Sequence, residues 1–279
     1  MKRFGILRVG CVIALLALAL FALASAAFAS SEDAIWPEHP GTVVEKDGKL
    51  TIDMSNAADG YFMACVEPTK NRVRMRITVK TKQVSGQFMY EINNTGEYEA
   101  YPLQFGSGTY KVELFENVKS NKYAGAGTIT VKAELETGNE AFLVPNQYVY
   151  YTQLSETVLK SDELTAGLTD QAAIYKAVCD FMADEFSYDF VRAKTISSGE
   201  LPEVDPCFLK RSGICQDLAA VMVCMLRVQG VPAKLMIGYA DKYYHAWTSC
   251  VVNGEEIFFD PTAAIGAMNA KKYQIERYY

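Results

Sequence analysis

Two periodicities divide the chain. From about residue 40 to residue 150, apolar and polar positions alternate. "NRVRMRITVKT" puts Val73, Met75, Ile77 and Val79 on one face and Arg72, Arg74, Arg76 and Lys80 on the other, the pattern of a half-buried antiparallel strand. "TVVEKDGKLTID" is two extended runs around Asp47-Gly48, a type I′ hairpin signal. "GQFMYEINNTGEYEAYPL" predicts another pair of strands around its Asn-Asn-Thr-Gly turn, and "GTYKVELFENV" and "GTITVKAEL" add two more. Short strands parted by turns about every ten residues predict an Ig-like β-sandwich. The alternating arginines read as a solvated sheet face, since no acid, base or nucleophile gathers here.

Near residue 160 the period changes. "LTDQAAIYKAVCDFMADEFSYD" sets Ile174, Val178, Phe181 and Met182 on one helical stripe, with Thr169 as the expected N-cap. After the loop "SSGELPEVDPC", Leu218, Met222, Met225 and Leu226 form a second stripe that Gly230 and Pro232 stop. Three strand-like pieces follow, "AKLMIGYA", "YHAWTSCVV" and "EEIFFD". The expected organisation is a leader over 1–29, an all-β sandwich over 30–157 and an α+β domain over 158–279.

The leader rests on "MKRFGILR", an uncharged apolar run after it, and the A-x-A site Ala27-Phe28-Ala29. That order is the layout of a secretory signal, with an uncleaved membrane anchor as the alternative. The expected location is therefore secreted or extracellular, associated with the cell surface. Removing 1–29 takes away three of 27 basic residues and none of the 33 acidic ones, so the net charge goes from −6 to −9. An acidic surface argues against nucleic acid as a partner. Six cysteines remain, Cys65, Cys179, Cys207, Cys215, Cys224 and Cys250. Three disulfides are permitted. Cys179, Cys224 and Cys250 lie in apolar runs that suit small buried residues.

Cys215 is different, because it stands where a helix begins. Free N–H groups and the positive end of the helix dipole favour a thiolate there, and the same N–H groups can receive an oxyanion. The chain has two histidines. His39 precedes any clear element, and His245 lies in a strand of the same domain as Cys215. Asn253-Gly254 predicts a tight hairpin that pairs Val252 with Glu255 and sets Trp247 opposite Asp260. His245 shares the face of Trp247, so Asp260 becomes its diagonal neighbour, within side-chain reach. A thiol, an imidazole and a carboxylate are thus expected together, as nucleophile, base and orienting group. Two other uses of Cys215 stay open: a Cys207–Cys215 disulfide, and a zinc site from Cys207, Cys215, His245 and Asp260.

"GICQDLAAVMVCMLRVQGVPAKLMIGYA", "YHAWTSCVV" and "FFDPT" resemble the three core blocks of the transglutaminase-like superfamily: cysteine at a helix start, histidine before Ala-Trp, aspartate in Asp-Pro-Thr. The resemblance covers about residues 170–265. It implies a papain-like thiol fold for the α+β domain, with Cys215, His245 and Asp260 at the matching positions. It also implies a role near the oxyanion for the segment "SYD" at Tyr188, and an N-terminal β-sandwich. One departure is "EEIFF", where many members carry a tryptophan, so the substrate cleft is expected to differ. The implied function is an exported cysteine-dependent amide-bond enzyme, by hydrolysis or by amine transfer through a thioester. The alternative is a catalytically idle surface-binding or adhesion module. A protein or peptide substrate is the expected partner, cell-wall material included. No cofactor or metal is expected, since no loop reads D-x-[DN]-x-[DN]-G.

Overall fold

The N-terminal part builds two four-stranded antiparallel sheets. The computed structural model describes residues 30–80 and 85–279, so the leader expected at 1–29 lies outside the described residues. The strands are β1 (Val44–Asp47), β2 (Leu50–Asp53), β3 (Tyr61–Val66), β4 (Val73–Lys80), β5 (Ser85–Glu91), β6 (Glu99–Pro102), β7 (Gly108–Lys119) and β8 (Lys122–Ala133). One sheet runs β1-β2-β3-β6 and the other β5-β4-β7-β8. Leu50, Ile52, Phe62 and Val66 of the first share an apolar core with Val73, Met75, Ile77 and Val79 of the second. On the far face of β4, Arg72 and Arg74 pair with Glu91, and Arg76 with Glu113.

Two local expectations shift. Asp47 pairs with Leu50, so the first hairpin turns at Gly48-Lys49, one residue later than expected. Gly48 takes φ +55°, and a Cβ there would meet the Ala126 carbonyl at 2.2 Å. The turn is therefore held against β8, and only glycine fits. The stretch "GQFMYEINNTGEYEAYPL" does give two strands, but they are not a hairpin: β5 joins β4, while β6 joins β3 in the other sheet. Each strand finds its buried face on a different sheet, and a local turn signal cannot report that.

The C-terminal part is mixed α/β. It contains α1 (Glu156–Thr165), α2 (Gln171–Glu185), β9 (Ser187–Tyr188), α3 (Arg192–Thr195), α4 (Val204–Lys210), β10 (Ser212–Gly213) and α5 (Cys215–Arg227). The chain then forms β11 (Ala233–Ala240), β12 (Tyr243–Val252), β13 (Glu255–Phe259), α6 (Pro261–Ala264) and β14 (Tyr273–Tyr278). The sheet order is β13-β12-β11-β14. Helix α5 packs on β11 and β12 and is flanked by α1, α2 and α4. It is buried all round from Asp217 to Arg227, well beyond the stripe its sequence shows. The N-cap of α2 is Asp170, not Thr169, because the Asp170 carboxylate accepts the Ala173 N–H at 2.9 Å. Helix α1 and strand β14 were not expected; the exposed pattern of β14 leaves no apolar alternation to read.

Arg227 ends α5 as a buried charge. Its Nε donates to the Ala233 carbonyl at 2.8 Å, Nη1 to Val144 at 2.6 Å and Nη2 to the Tyr279 main-chain oxygen at 2.9 Å. One guanidinium thereby ties the segment before α1, the start of β11 and the residue after β14 to the central helix. Burial lowers its pKa to about 10, so it remains charged at neutral pH.

Candidate active site

The hairpin β12–β13 turns at Asn253-Gly254, both at positive φ, with Val252 opposite Glu255. Pairing runs on to Thr248 opposite Phe259, and the next residue, Asp260, leaves the ladder to cap α6. Proline at the first position of α6 suits that cap, since its missing N–H would have no partner there anyway. Asp260 thus sits where a strand becomes a helix, with His245 diagonal to it on β12. The His245 Nε2 lies 2.9 Å from Asp260 Oδ2.

The carboxylate is fully engaged. Oδ2 also accepts the Tyr273 hydroxyl at 2.7 Å, while Oδ1 accepts the N–H groups of Thr262 at 2.9 Å and Ala263 at 3.2 Å. Burial alone would raise its pKa, but the His245 and Tyr273 contacts and the α6 N–H groups lower it on balance. Asp260 is therefore an anion that accepts four hydrogen bonds, and the Nε2 of His245 carries a proton toward it. That leaves Nδ1 as the free nitrogen of the ring.

Cys215 is the first residue of α5 and is half-buried. Its sulfur lies close enough to the His245 ring to act on its charge. Burial opposes a charged imidazole, yet the hydrogen bond to Asp260, and after it the nearby Cys215 sulfur, raise His245 to about 9. The imidazolium is the favoured form at neutral pH. His245 is 2 % exposed, and the Trp247 ring lies nearly parallel to it at 6.2 Å. Tyr273 stands at 6.4 Å from His245 and 5.1 Å from Trp247, so aromatic rings exclude water from the His–Asp contact.

Several residues support these three, and all but Tyr188 were not singled out from sequence. Asp217, in the first turn of α5, accepts the Ile214 N–H at 3.2 Å and the Glu203 N–H at 3.1 Å and pairs with Arg192 at 3.0 Å. It fixes the helix start and ties the 192–203 segment to it. Gly213 makes that start possible: a Cβ there would fall 2.5 Å from the Cys207 sulfur and 2.9 Å from Asp217 Cβ. Strands β9 and β10 pair in parallel, setting Tyr188 opposite Gly213. The Tyr188 side chain lies beside Cys215, where burial and then the nearby sulfur push its pKa up to about 12 against the opposing Cys215 main chain. Tyr273 arrives on β14. Gly238, opposite His245 on β11, allows β14 to approach, since a Cβ there would meet the Gln274 carbonyl at 2.0 Å.

Of the other sequence readings, the cysteines of the described residues are all free thiols, so Cys207 and Cys215 are not bridged. Cys207 is buried against Gly213, and burial raises its pKa far above an ordinary thiol. Among the described residues, no three His, Cys, Asp or Glu side chains gather as metal ligands. Trp247 is buried, whereas Tyr239, Tyr243 and Tyr244 are exposed.

The family model of the transglutaminase-like superfamily matches residues 160–261. Among solved structures, a candidate cysteine protease from Cytophaga hutchinsonii aligns at 15 % identity and TM-score 0.38, over 79 % of this chain and 78 % of its own. A candidate protease from Parabacteroides distasonis aligns at 12 % identity and TM-score 0.34, over 71 % of this chain and 37 % of its own. Red sea bream transglutaminase aligns at 12 % identity and TM-score 0.28, over 72 % of this chain and 48 % of its own. A search of the curated proteins found no match. The stretch that carries Cys215, His245 and Asp260 is a transglutaminase-like core, and through it the chain is related to the transglutaminase-like superfamily.

Proposed function

We propose that the protein is an exported cysteine-dependent enzyme acting on amide bonds, with Cys215 as nucleophile, His245 as acid and base, and Asp260 as the orienting carboxylate. The observation that carries this reading is the position of His245. Its Nε2 is held by a fully engaged carboxylate, and the thiol at a helix start lies near enough to the same ring to favour its charged form.

The chemistry follows from that arrangement. In the reacting state the Cys215 proton sits on Nδ1 of His245, so that an imidazolium faces a thiolate, and the thiolate attacks the amide carbonyl carbon. The tetrahedral oxyanion is received by the first N–H groups of α5, with the Tyr188 hydroxyl beside them. The imidazolium then gives its proton to the departing amine as the C–N bond breaks, which leaves a thioester on Cys215. Water or a second amine attacks the thioester, His245 takes the proton of the incoming group, and the thiol is restored. Asp260 keeps Nε2 protonated throughout, so Nδ1 is always the nitrogen that exchanges protons.

The remaining parts of the reading concern context. The two N-terminal sheets are read as an Ig-like sandwich over 30–157, followed by a papain-like domain over 158–279. Tyr110 supports the sandwich: its hydroxyl donates to the Gly106 carbonyl at 2.6 Å and accepts the Phe105 N–H at 3.0 Å, a tyrosine tied back to the preceding corner. Residues 1–29 are read as a secretory signal, and the substrate as a protein or peptide at the cell surface.

A panel of glutamine-containing and general peptide amides, with and without an added primary amine, tests the reading by mass spectrometry. Hydrolysis or amine incorporation is expected for the wild type, and a thioester adduct on Cys215 after rapid acid quench. Cys215→Ala is expected to abolish product while circular dichroism and melting stay as in the wild type. Turnover that survives in Cys215→Ala would overturn the assignment.

A further inference from the structure

A sizeable cavity lies away from the thiol. It encloses about 700 Å³, within the range of ordinary ligand sites, and lies between the N-terminal sheets and the segment that leads into α1. Its wall includes Pro145, next to Val144, whose carbonyl accepts Arg227 at the last turn of α5. Cys215 opens that helix of 13 residues, so the cavity sits at the opposite end of α5, roughly 20 Å along the axis at 1.5 Å per residue. None of the groups proposed for the amide chemistry lines it.

We propose that this cavity is a second binding site, for a cationic peptide segment bearing lysine or arginine. Its charged wall residues are Glu97 and Glu99, and no lysine or arginine lines it. Among the described residues neither carboxylate has an ion-pair partner, although Glu91, Glu113 and Glu116 on the nearby sheets are all paired. Glu99 is held in place from one side only, because its Oε2 accepts the Asn93 N–H at 2.8 Å and the Tyr101 hydroxyl at 3.1 Å. Its Oε1 is left for an incoming donor. Trp36, Tyr98 and Tyr150 supply aromatic surface around these carboxylates, and an ammonium or guanidinium group is attracted both to ring faces and to carboxylates. Tyr150 is exposed at the rim.

A peptide segment fits better than a simple amine because the cavity, at about 700 Å³, is far larger than one ammonium group fills. The cavity thus asks for positive charge and for a chain long enough to occupy it, which a basic peptide segment brings together.

The test is calorimetric titration of the full protein with trilysine amide at low salt, followed in parallel by Trp fluorescence. The chain has two tryptophans, and the other, Trp247, is buried beside His245, so Trp36 is the reporter. Saturable binding is expected, weakened by added salt, weakened about tenfold or more in Glu97→Gln/Glu99→Gln, and weakened in Tyr150→Ala. Tyr150 is so exposed that its loss leaves the fold intact, which separates binding from unfolding. Affinity should be the same in Cys215→Ala, so a failure of the amide chemistry does not bear on this site. The proposal is overturned by no saturable response, by equal affinity for the ε-acetylated trilysine amide, or by indifference to the carboxamide variants. Binding of chitotriose in place of trilysine, lost in Tyr150→Ala, would likewise overturn it and assign the cavity to neutral sugar.

Discussion

Replacing Asp260 with asparagine isolates the electrostatic part of the site. Asparagine caps a helix as well as aspartate does, so Oδ1 keeps the bonds to Thr262 and Ala263 and α6 stays in place. With Oδ1 so held, the new Nδ2 points where Oδ2 was, toward His245. A donor then faces a donor, and the neutral ring relieves the conflict by moving its proton to Nδ1, the wrong nitrogen for accepting a thiol proton. The charged ring also loses its anion. His245 stands at about 9 against an ordinary 6.5, which corresponds to about 3 kcal/mol in favour of the imidazolium, at roughly 1.36 kcal/mol per pH unit. The Asp260 hydrogen bond is the larger of the two that raise it, while burial, which persists in the variant, lowers it. A fall of at least about one pH unit, or about 1.4 kcal/mol, is therefore expected. The assay is NMR titration of the imidazoles, which is simple because the chain has two histidines; His39→Gln assigns them. The wild-type stability carried by this shift is fully present below pH 6.5 and is lost as pH rises through about 9, since a raised pKa favours the folded state only while the ring is charged. In Asp260→Asn that window narrows from its upper end, and amide turnover falls by orders of magnitude without vanishing. An unchanged His245 titration in the variant would refute the reasoning.

Three further outcomes are expected. Tyr273→Phe removes one of four donors to Asp260 and should cost about 1.5–2 kcal/mol of stability by urea denaturation, with turnover reduced several-fold and the pH profile displaced; a profile identical to wild type would reduce Tyr273 to packing. Gly238→Ala places a methyl where the Gln274 carbonyl lies at 2.0 Å, so β14 must shift and withdraw Tyr273. It should lower both melting temperature and turnover, and unchanged values would show that the close approach is dispensable. Arg227→Leu leaves three carbonyls without their donor and should destabilise by about 3–5 kcal/mol in denaturant; less than about 1 kcal/mol would contradict its role as the tie between segments.

What the sequence made legible was local. The strict alternation of Val73 to Val79 announces a half-buried strand, and Asn253-Gly254 sets a register that carries His245 to Asp260 without knowledge of anything else in the fold. What it hid depends on partners far along the chain. Whether β5 and β6 pair with each other or with β4 and β3 is decided by which sheet buries them, and the turn between them is silent on that. The cap of α2 falls on Asp170 and not on its neighbour Thr169, because only the geometry of the first turn distinguishes two adjacent good caps. Tyr273 was the costliest omission, since it touches the central carboxylate from an exposed strand with no apolar signature. A tyrosine near the start of "KKYQIERYY" carries no local hint of that contact. The glutamates of the large cavity are likewise ordinary surface residues until loops from three regions converge around them.

The most direct test of the central claim, that Cys215 and His245 act as a pair, is the rate of iodoacetamide labelling at Cys215 as a function of pH, followed by peptide mass spectrometry in wild type and His245→Ala. The paired thiol should label rapidly well below about pH 8.5, the range of a free thiol, and His245→Ala should move the curve up to that range. Identical curves in the two proteins, or a Cys207–Cys215 disulfide in the peptide map, would contradict it.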